Sequence, residues 1–356
     1  MEHVGICALV AKVQQMMVAG HNRIRSLDSL RSIAILMVLF AHSVLGFGAP
    51  THLAPAQLGG MGVDLFFVLS GWLLGSLLFK EMAQGGINVR RFWVRRWMRT
   101  LPAYYVVLIY TMGQQILTKE DPSTPWTYFF FIQNYDYPLD IFSVSWSLAV
   151  EEQFYLFIAP FLALTVYVKP NIRLSLLVLL FFLPAIFRYL GWYGTNLETH
   201  VRLDCCIMGV MLACIKYQHN QIWSVLLKYS FGMAIVSTVF FVLYFYQRWF
   251  PLSWLGDPGF MARAMMFGAW VVFANSSNKI RWNLFFPGAN YIATRSYAIY
   301  LLHPDAIALV NRVTIDLPFL VYLSIVFLLS VVAAEVLYRI VELPFMNMRS
   351  RFKWAA

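Results

Sequence analysis

The sequence contains few charged residues: Asp, Glu, Lys and Arg make up 12% of its 356 residues, against about 25% in soluble domains. Hydrophobic residues make up 60%. This balance excludes a soluble enzyme, a disordered chain and a fibrous repeat protein. The apolar residues form blocks close to the ~20 residues that a helix needs to cross a bilayer, whereas the strands of a membrane barrel would alternate over segments of about 10 residues. The sequence therefore predicts an all-α, polytopic integral membrane protein.

Cysteine is also scarce, and no internal repeat or low-complexity segment is visible. The four cysteines show no paired spacing, so we predict free packing thiols and no disulfide or metal site at Cys7, Cys205, Cys206 and Cys214. Without a long linker, the chain is predicted to form one membrane domain over 24–348. A poorly ordered extension over 1–23 and a short basic cytoplasmic tail over 349–356 would flank it.

Hydropathy predicts about ten transmembrane helices, over 30–48, 60–79, 101–118, 145–168, 172–190, 201–217, 224–246, 259–275, 293–312 and 317–341. Trp126–Gln133 is apolar but too short to cross, so a re-entrant or interfacial segment is expected there. With the N-terminus inside, 18 of the 27 Lys and Arg residues lie in inner segments, three in outer loops and six within spans. Since basic residues accumulate in cytoplasmic loops, both termini are predicted to be cytoplasmic. The net charge of +10 therefore does not require a nucleic-acid partner.

Ionisable residues inside spans are costly and mark candidate functional sites. Arg31 and His42 are 11 residues apart, so they share one helix face about 16 Å apart along the axis. Arg31 would lie at the cytoplasmic boundary and His42 beyond mid-membrane. The structural alternatives are a boundary anchor for Arg31 and a packing histidine for His42.

Two adjacent carboxylates, Glu151 and Glu152, lie six residues inside the fourth span. Their side chains diverge by about 100°, so only one is expected to face a given cavity. The other would pair with an arginine or lie near the outer interface.

An arginine-rich segment, Arg90–Pro102, is predicted to form the cytoplasmic loop between the second and third spans. Within it, Arg96 and Arg99 have the i, i+3 spacing of one helix face. Forked guanidinium donors suit phosphate oxygens, so the pair is a candidate site for a phosphate-bearing co-substrate. Positive-inside topology alone is the simpler explanation. Further ionisable residues nearer the outer half would include salt bridges that lock helices together: Asp64, Arg188, Arg202, Asp204, Arg263, His303 and Asp305.

Six segments in order resemble the motifs of acyltransferase family 3, the ten-helix membrane acyltransferases. They are Arg25–Arg31 with His42, Gly62–Gly71, Arg95–Pro102, Trp146–Tyr155, Tyr297–Pro304 and Val341–Phe345. The resemblance implies transfer of an acyl group, commonly acetyl, from cytoplasmic acyl-coenzyme A to a hydroxyl of a carbohydrate, glycan or lipid-linked acceptor. It also implies a bacterial cytoplasmic membrane, contact with membrane lipid, possible glycan-assembly partner proteins, and acyl-coenzyme A as co-substrate without a permanently bound cofactor.

The resemblance assigns catalytic roles to His42, Glu151 and Arg31, and coenzyme A binding to Arg96, Arg99 and Arg31. Asp64, Glu152, Tyr155 and His303 are possible supporting residues. An imidazole suits general-base work near neutral pH, and Glu151 could orient it. His42 could instead be acylated itself. A proton-coupled transporter of a glycan precursor or small molecule remains the alternative, because transporters also use intramembrane His and Glu. A silent scaffold for glycan assembly is a third possibility.

Overall fold

A computed structural model describes residues 25–118, 126–139, 141–246, 259–276, 286–313 and 317–351. Every regular element in these ranges is helical, which confirms the all-α prediction. The long helices of these ranges are α1 Arg25–Gly46, α2 Gly62–Ala83, α3 Val89–Thr118, α4 Trp146–Leu164, α5 Pro170–Tyr189, α6 Asp204–Gln218, α7 Asn220–Tyr246, α8 Gly259–Ser276, α9 Ala289–Arg312 and α10 Phe319–Leu337. A π-helical turn, Tyr338–Glu342, continues α10 into the short helix α11, Leu343–Arg351.

Each predicted span overlaps one of the helices α1 to α10. Among the described residues, six helical segments are long and apolar enough to cross a membrane; they contain α1, α2, α4, α5, α7 and α10. The predicted extension over 1–23 lies outside the described residues, as do residues 352–356 of the predicted tail. The domain boundaries stay a prediction.

One segment differs from the sequence prediction. The arginine-rich stretch from Arg90 is not a loop but the first half of α3, which starts at Val89 and continues through Pro102. A proline removes one backbone hydrogen bond, and α3 accommodates it. Trp126–Gln133 contains short 3₁₀ turns and forms no spanning helix, as its length predicts. Tyr104 donates a hydrogen bond to the carbonyl oxygen of Tyr128 at 2.8 Å, which ties this segment to α3.

Helix contacts show which helices run in the same direction. Near the start of α1, Ser32 Oγ donates to Ala289 O, the first residue of α9, at 2.6 Å. Near the ends of both helices, Asn311 Nδ2 donates to Gly46 O at 3.0 Å. Helices α1 and α9 are therefore parallel, as two odd-numbered spans must be if successive helices alternate.

Contacts between odd-numbered and even-numbered helices show that these helices run in opposite directions. In α3 and α4, Trp93 Nε1 donates to Tyr155 O at 3.0 Å, while Thr100 Oγ1 donates to Glu152 at 2.8 Å. Residues further along α3 thus contact residues nearer the start of α4, so these helices are antiparallel. The same holds for α9 and α10, where Asn311 contacts Tyr322 and the earlier Arg295 contacts the later Glu335.

Helix α2 lies at the centre of the bundle and packs most closely against α6. A Cβ on Gly71 would lie 1.9 Å from the carbonyl oxygen of Cys206, and one on Gly209 would lie 2.2 Å from that of Val68. Only glycine permits such an approach of two helix backbones, a common device where membrane helices pack. The free thiols of Cys205, Cys206 and Cys214 are buried, which confirms the packing role predicted for these three cysteines. Cys7 lies outside the described residues.

Candidate active site

A cavity of about 790 Å³, including a part open to solvent, lies between α1, α2, α3, α4 and α9. Four residues singled out in the sequence line it: Arg31, Arg96, Arg99 and Glu151. Its wall also carries the hydroxyl groups of Ser70, Thr100, Ser147, Ser296, Tyr297 and Tyr300. The fold thus brings together residues that are up to 269 positions apart in the chain, from Arg31 to Tyr300.

The charge of this cavity is positive, because its lining contains three guanidinium groups and one carboxylate. Arg31, Arg96 and Arg99 lie close enough for their charges to repel one another. Such repulsion is stronger where water is excluded, so an anionic ligand between the guanidinium groups would relieve it.

Arg96 is held by a network of three side chains. Its Nη2 donates to Tyr155 Oη at 2.5 Å, and its guanidinium lies 4.4 Å from the centre of the Tyr155 ring. The same Nη2 is 3.9 Å from Glu151 Oε2. Ser70 Oγ donates a short hydrogen bond to Glu151 Oε1. Tyr155 and Ser70 therefore fix the positions of the charged pair Arg96 and Glu151.

Arg99 is placed differently from Arg96. It lines the same cavity one helical turn further along α3. In the part of the chain that the structure describes, its guanidinium makes no hydrogen bond or ion pair. Its donors are therefore available to a ligand.

Glu152 does not share the environment of Glu151. Its side chain is buried, and Thr100 Oγ1 of α3 donates to its Oε1 at 2.8 Å. Glu151 lines the cavity, whereas Glu152 is not among the described residues that do. The adjacent carboxylates thus point to different neighbours, as their angular separation requires.

His42 contacts His303 rather than Glu151. His42 Nδ1 and His303 Nε2 are 2.8 Å apart, and the ring centres are 4.9 Å apart. Glu151, which was expected to orient this imidazole, instead contacts Ser70 and Arg96. Parallel packing of α1 and α9 explains the pairing, since it places equal depths of the two helices side by side.

The histidine pair lies next to the cavity. Tyr300 lines the cavity, and its carbonyl oxygen is 2.8 Å from Nδ1 of His303, one turn further along α9. The hydroxyl of Tyr300 also lies 2.6 Å from Ser147 Oγ of α4. Tyr300 therefore links the cavity wall to His303, whereas neither His42 nor His303 is among the described residues that line the cavity.

Asp64, at the start of α2, is not among the described residues that line the cavity. Its carboxylate is 2.7 Å from Arg202 Nη2 and 3.5 Å from Arg263 Nη1. Nearby, Arg188 pairs with Asp204 at 2.9 Å. This network joins α2, α5, α6 and α8, so Asp64 and its partners lock helices together.

Sequence reasoning assigned no role to several residues of the site. Ser70, Tyr297 and Tyr300 lie inside the recognised motifs, yet a hydroxyl in an apolar span carries no charge to draw attention. Thr100 was missed for the same reason. For two of them the available signal was a helical spacing from an ionisable residue, since Thr100 lies four residues after Arg96 and Tyr300 three before His303.

Comparison with known proteins gives a family and several relatives. The profile of acyltransferase family 3, described as an acyltransferase domain, matches residues 24–339. A protein named "Putative O-acetyltransferase" from Staphylococcus aureus (strain COL) is 28% identical, over 90% of this chain and 57% of the relative. A "Putative peptidoglycan O-acetyltransferase" from Bacillus subtilis (strain 168) is 27% identical, over 91% of this chain and 55% of the relative.

A third relative is the peptidoglycan O-acetyltransferase of Listeria monocytogenes, 26% identical over 90% of this chain and 55% of the relative. The chain therefore spans a little over half the length of these relatives. No solved structure matches it. The profile match confirms the family resemblance and covers five of the six motifs, all but Val341–Phe345. The apolar helices agree with an integral membrane protein. The chain belongs to acyltransferase family 3.

Proposed function

We propose that the protein is a membrane O-acyltransferase that moves an acetyl group from cytoplasmic acetyl-coenzyme A to a hydroxyl of a carbohydrate, glycan or lipid-linked acceptor. The reaction would take place at or across the bacterial cytoplasmic membrane. The observation that carries the proposal is the cavity in which Arg31, Arg96 and Arg99 meet Glu151 beside a pair of histidines. The acetyl group follows from the names of the relatives, which are O-acetyltransferases.

The proposed topology has ten crossings with both ends of the chain in the cytoplasm. Two observations support it. The helix pairs described above are parallel or antiparallel as strict alternation requires, and the basic residues divide 18 to three in favour of the inner segments. The arginines of α1 and α3 then lie towards the cytoplasmic side, where acetyl-coenzyme A is available.

Coenzyme A would be recognised through its phosphates. The cavity carries two more positive than negative side chains, and guanidinium forks bind phosphate oxygens with strong, charge-assisted hydrogen bonds. Among the described residues no group accepts a hydrogen bond from Arg99, although the buried carboxylate of Glu342 attracts its charge. Arg96, by contrast, is held by Tyr155 and Glu151. We assign the main phosphate contact to Arg99, whereas Arg96 maintains the shape of the site.

The chemical step needs a base for the acceptor hydroxyl, because the thioester is already activated. In the proposed mechanism His42 takes the hydroxyl proton as the oxygen attacks the thioester carbonyl carbon. The carbon–sulfur bond breaks, and the proton passes to the coenzyme A sulfur, which leaves as a thiol. His42 is the general base, and a histidine placed beside the substrate cavity suits that role.

The test is thiol release by the purified full chain supplied with acetyl-coenzyme A and a glycan acceptor. The parent protein should release free coenzyme A and acetylate the acceptor, as read by mass spectrometry, while His42→Ala should lose nearly all turnover. His219→Ala, a matched histidine outside the site, should keep the parent rate. Activity of His42→Ala within threefold of the parent would remove His42 from the mechanism.

The same assay tests the alternative that the protein is a transporter. A transporter or a silent scaffold predicts no thiol release at any acceptor concentration. Comparing the surface glycans and lipids of cells with and without the gene would then identify the acceptor, and with it any glycan-assembly partner.

A further inference from the structure

Both ring nitrogens of His303 are engaged in the protein interior. The side chain is completely buried. Its Nδ1 lies 2.8 Å from the carbonyl oxygen of Tyr300 and 3.3 Å from that of Ile299. Its Nε2 lies 2.8 Å from Nδ1 of His42. These contacts determine which ring nitrogens of His303 and His42 carry protons.

A carbonyl oxygen only accepts hydrogen bonds, so Nδ1 of His303 must carry a proton. A second proton on Nε2 would make a fully buried cation, and among the described residues no carboxylate contacts His303 to compensate it. Nε2 of His303 is therefore the acceptor, and Nδ1 of His42 is the donor. In a neutral imidazole the remaining nitrogen, Nε2 of His42, then holds the lone pair.

We infer that His303 is a positioning residue that fixes His42 in its Nδ1–H tautomer, with Nε2 as the proton-accepting atom. The inference rests on the proposed function, in which His42 is the base. Neutral imidazole in water favours the opposite tautomer, with the proton on Nε2. The hydrogen bond on one ring nitrogen decides the state of the other, so the contact with His303 reverses that preference.

The proton balance of the transfer follows. The acceptor hydroxyl proton moves to Nε2 of His42 as the oxygen–carbon bond forms. The resulting imidazolium keeps its Nδ1–H hydrogen bond to His303, so its orientation does not change. Breaking of the carbon–sulfur bond leaves a thiolate, and His42 returns the proton from Nε2 to that sulfur. Both histidines end the cycle as they began it.

Two substitutions of His303 separate positioning from a merely structural role. His303→Leu removes the acceptor, whereas His303→Gln keeps an amide oxygen that can accept from His42. We expect the turnover number of the Leu variant to fall at least tenfold, with the Michaelis constant for acetyl-coenzyme A within threefold of the parent. The Gln variant should be at least fivefold faster than the Leu variant. A Leu variant within threefold of the parent, or equal loss in both folded variants, would overturn the inference.

A spectroscopic readout does not depend on activity. Nitrogen NMR of the full chain labelled with ¹⁵N-histidine reports which ring nitrogen is protonated, and difference spectra against His42→Gln and His303→Gln assign the two rings. Protonated Nδ1 on both rings supports the assignment, and an Nε2–H form of His42 overturns it. If the parent released no thiol while both rings were Nδ1–H, the proposed function would fail and the tautomer assignment would stand.

Discussion

At the scale of single residues, one step along α4 separates two carboxylates with different surroundings. Glu151 lines the cavity and contacts Ser70 and Arg96, while Glu152 is buried against Thr100 of α3. Among the described residues that line the cavity, the charged ones are three arginines and Glu151. Losing the charge of Glu151 therefore alters the site directly, whereas losing that of Glu152 alters a helix contact.

We predict that Glu151→Gln lowers the turnover number at least tenfold while the affinity for acetyl-coenzyme A does not decrease. The substitution keeps the shape but removes the charge that compensates Arg96, and a more positive cavity still attracts phosphates. Glu152→Gln is the matched control and should have the milder effect. Steady-state kinetics of equally well inserted proteins is the measurement, and the opposite ranking would transfer the role to Glu152.

We predict that Arg99→Ala raises the Michaelis constant for acetyl-coenzyme A by about tenfold or more. Hydrogen bonds to charged groups contribute about 1.5–3 kcal/mol each, and about 1.4 kcal/mol corresponds to a factor of ten. Arg95→Ala, on the exposed side of the same helix, should stay within twofold of the parent. If coenzyme A protects the parent and Arg99→Ala equally against thermal unfolding, Arg99 makes no contact with coenzyme A and serves topology alone.

At the scale of the helices, the sequence predicts where the helices lie but not which helices pack against each other. Long apolar blocks and scarce charges located all ten long helices of the described ranges, because both follow from the bilayer. The pairing of His42 with His303 was not predictable, because it depends on α9 packing parallel to α1 across 261 positions of sequence. Hydropathy predicts a loop at the arginine-rich start of α3, because hydropathy responds to charge and not to helix propensity.

The close packing of α2 on α6 leads to a prediction on stability. Gly71→Ala would place a methyl group 1.9 Å from a backbone oxygen of α6, so the two helices must separate. Overpacking of this kind costs about 1–3 kcal/mol, and we expect a lower unfolding temperature. Gly232→Ala in α7 has nothing within 4 Å and should be neutral or stabilising, since alanine favours helix by about 0.5–1 kcal/mol. Equal unfolding temperatures for the two variants would contradict the packing argument.

At the scale of the whole molecule, the arrangement of the site depends on the orientation of the bundle. The end of α2 and the start of α3 meet near Gln84. If they face the cytoplasm, the arginine-lined part of the cavity opens towards acetyl-coenzyme A. The loop between α5 and α6, which contains Asn196, then faces the opposite side. Both residues are exposed and lie between helices, so each can carry a reporter without disturbing the core.

We predict that a membrane-impermeant maleimide labels Asn196→Cys but not Gln84→Cys when only the outer face of the membrane is accessible. Inverted vesicles should give the reverse, because even-numbered helices begin outside and end inside. A Cys7→Ser background removes one native thiol, and the buried Cys205, Cys206 and Cys214 should remain unlabelled in the folded protein. Labelling of both positions from one side would mean an even number of crossings from α3 to α5, whereas strict alternation gives three. The cytoplasmic assignment of the arginines would then lose its support, and with it the route by which acetyl-coenzyme A reaches the cavity.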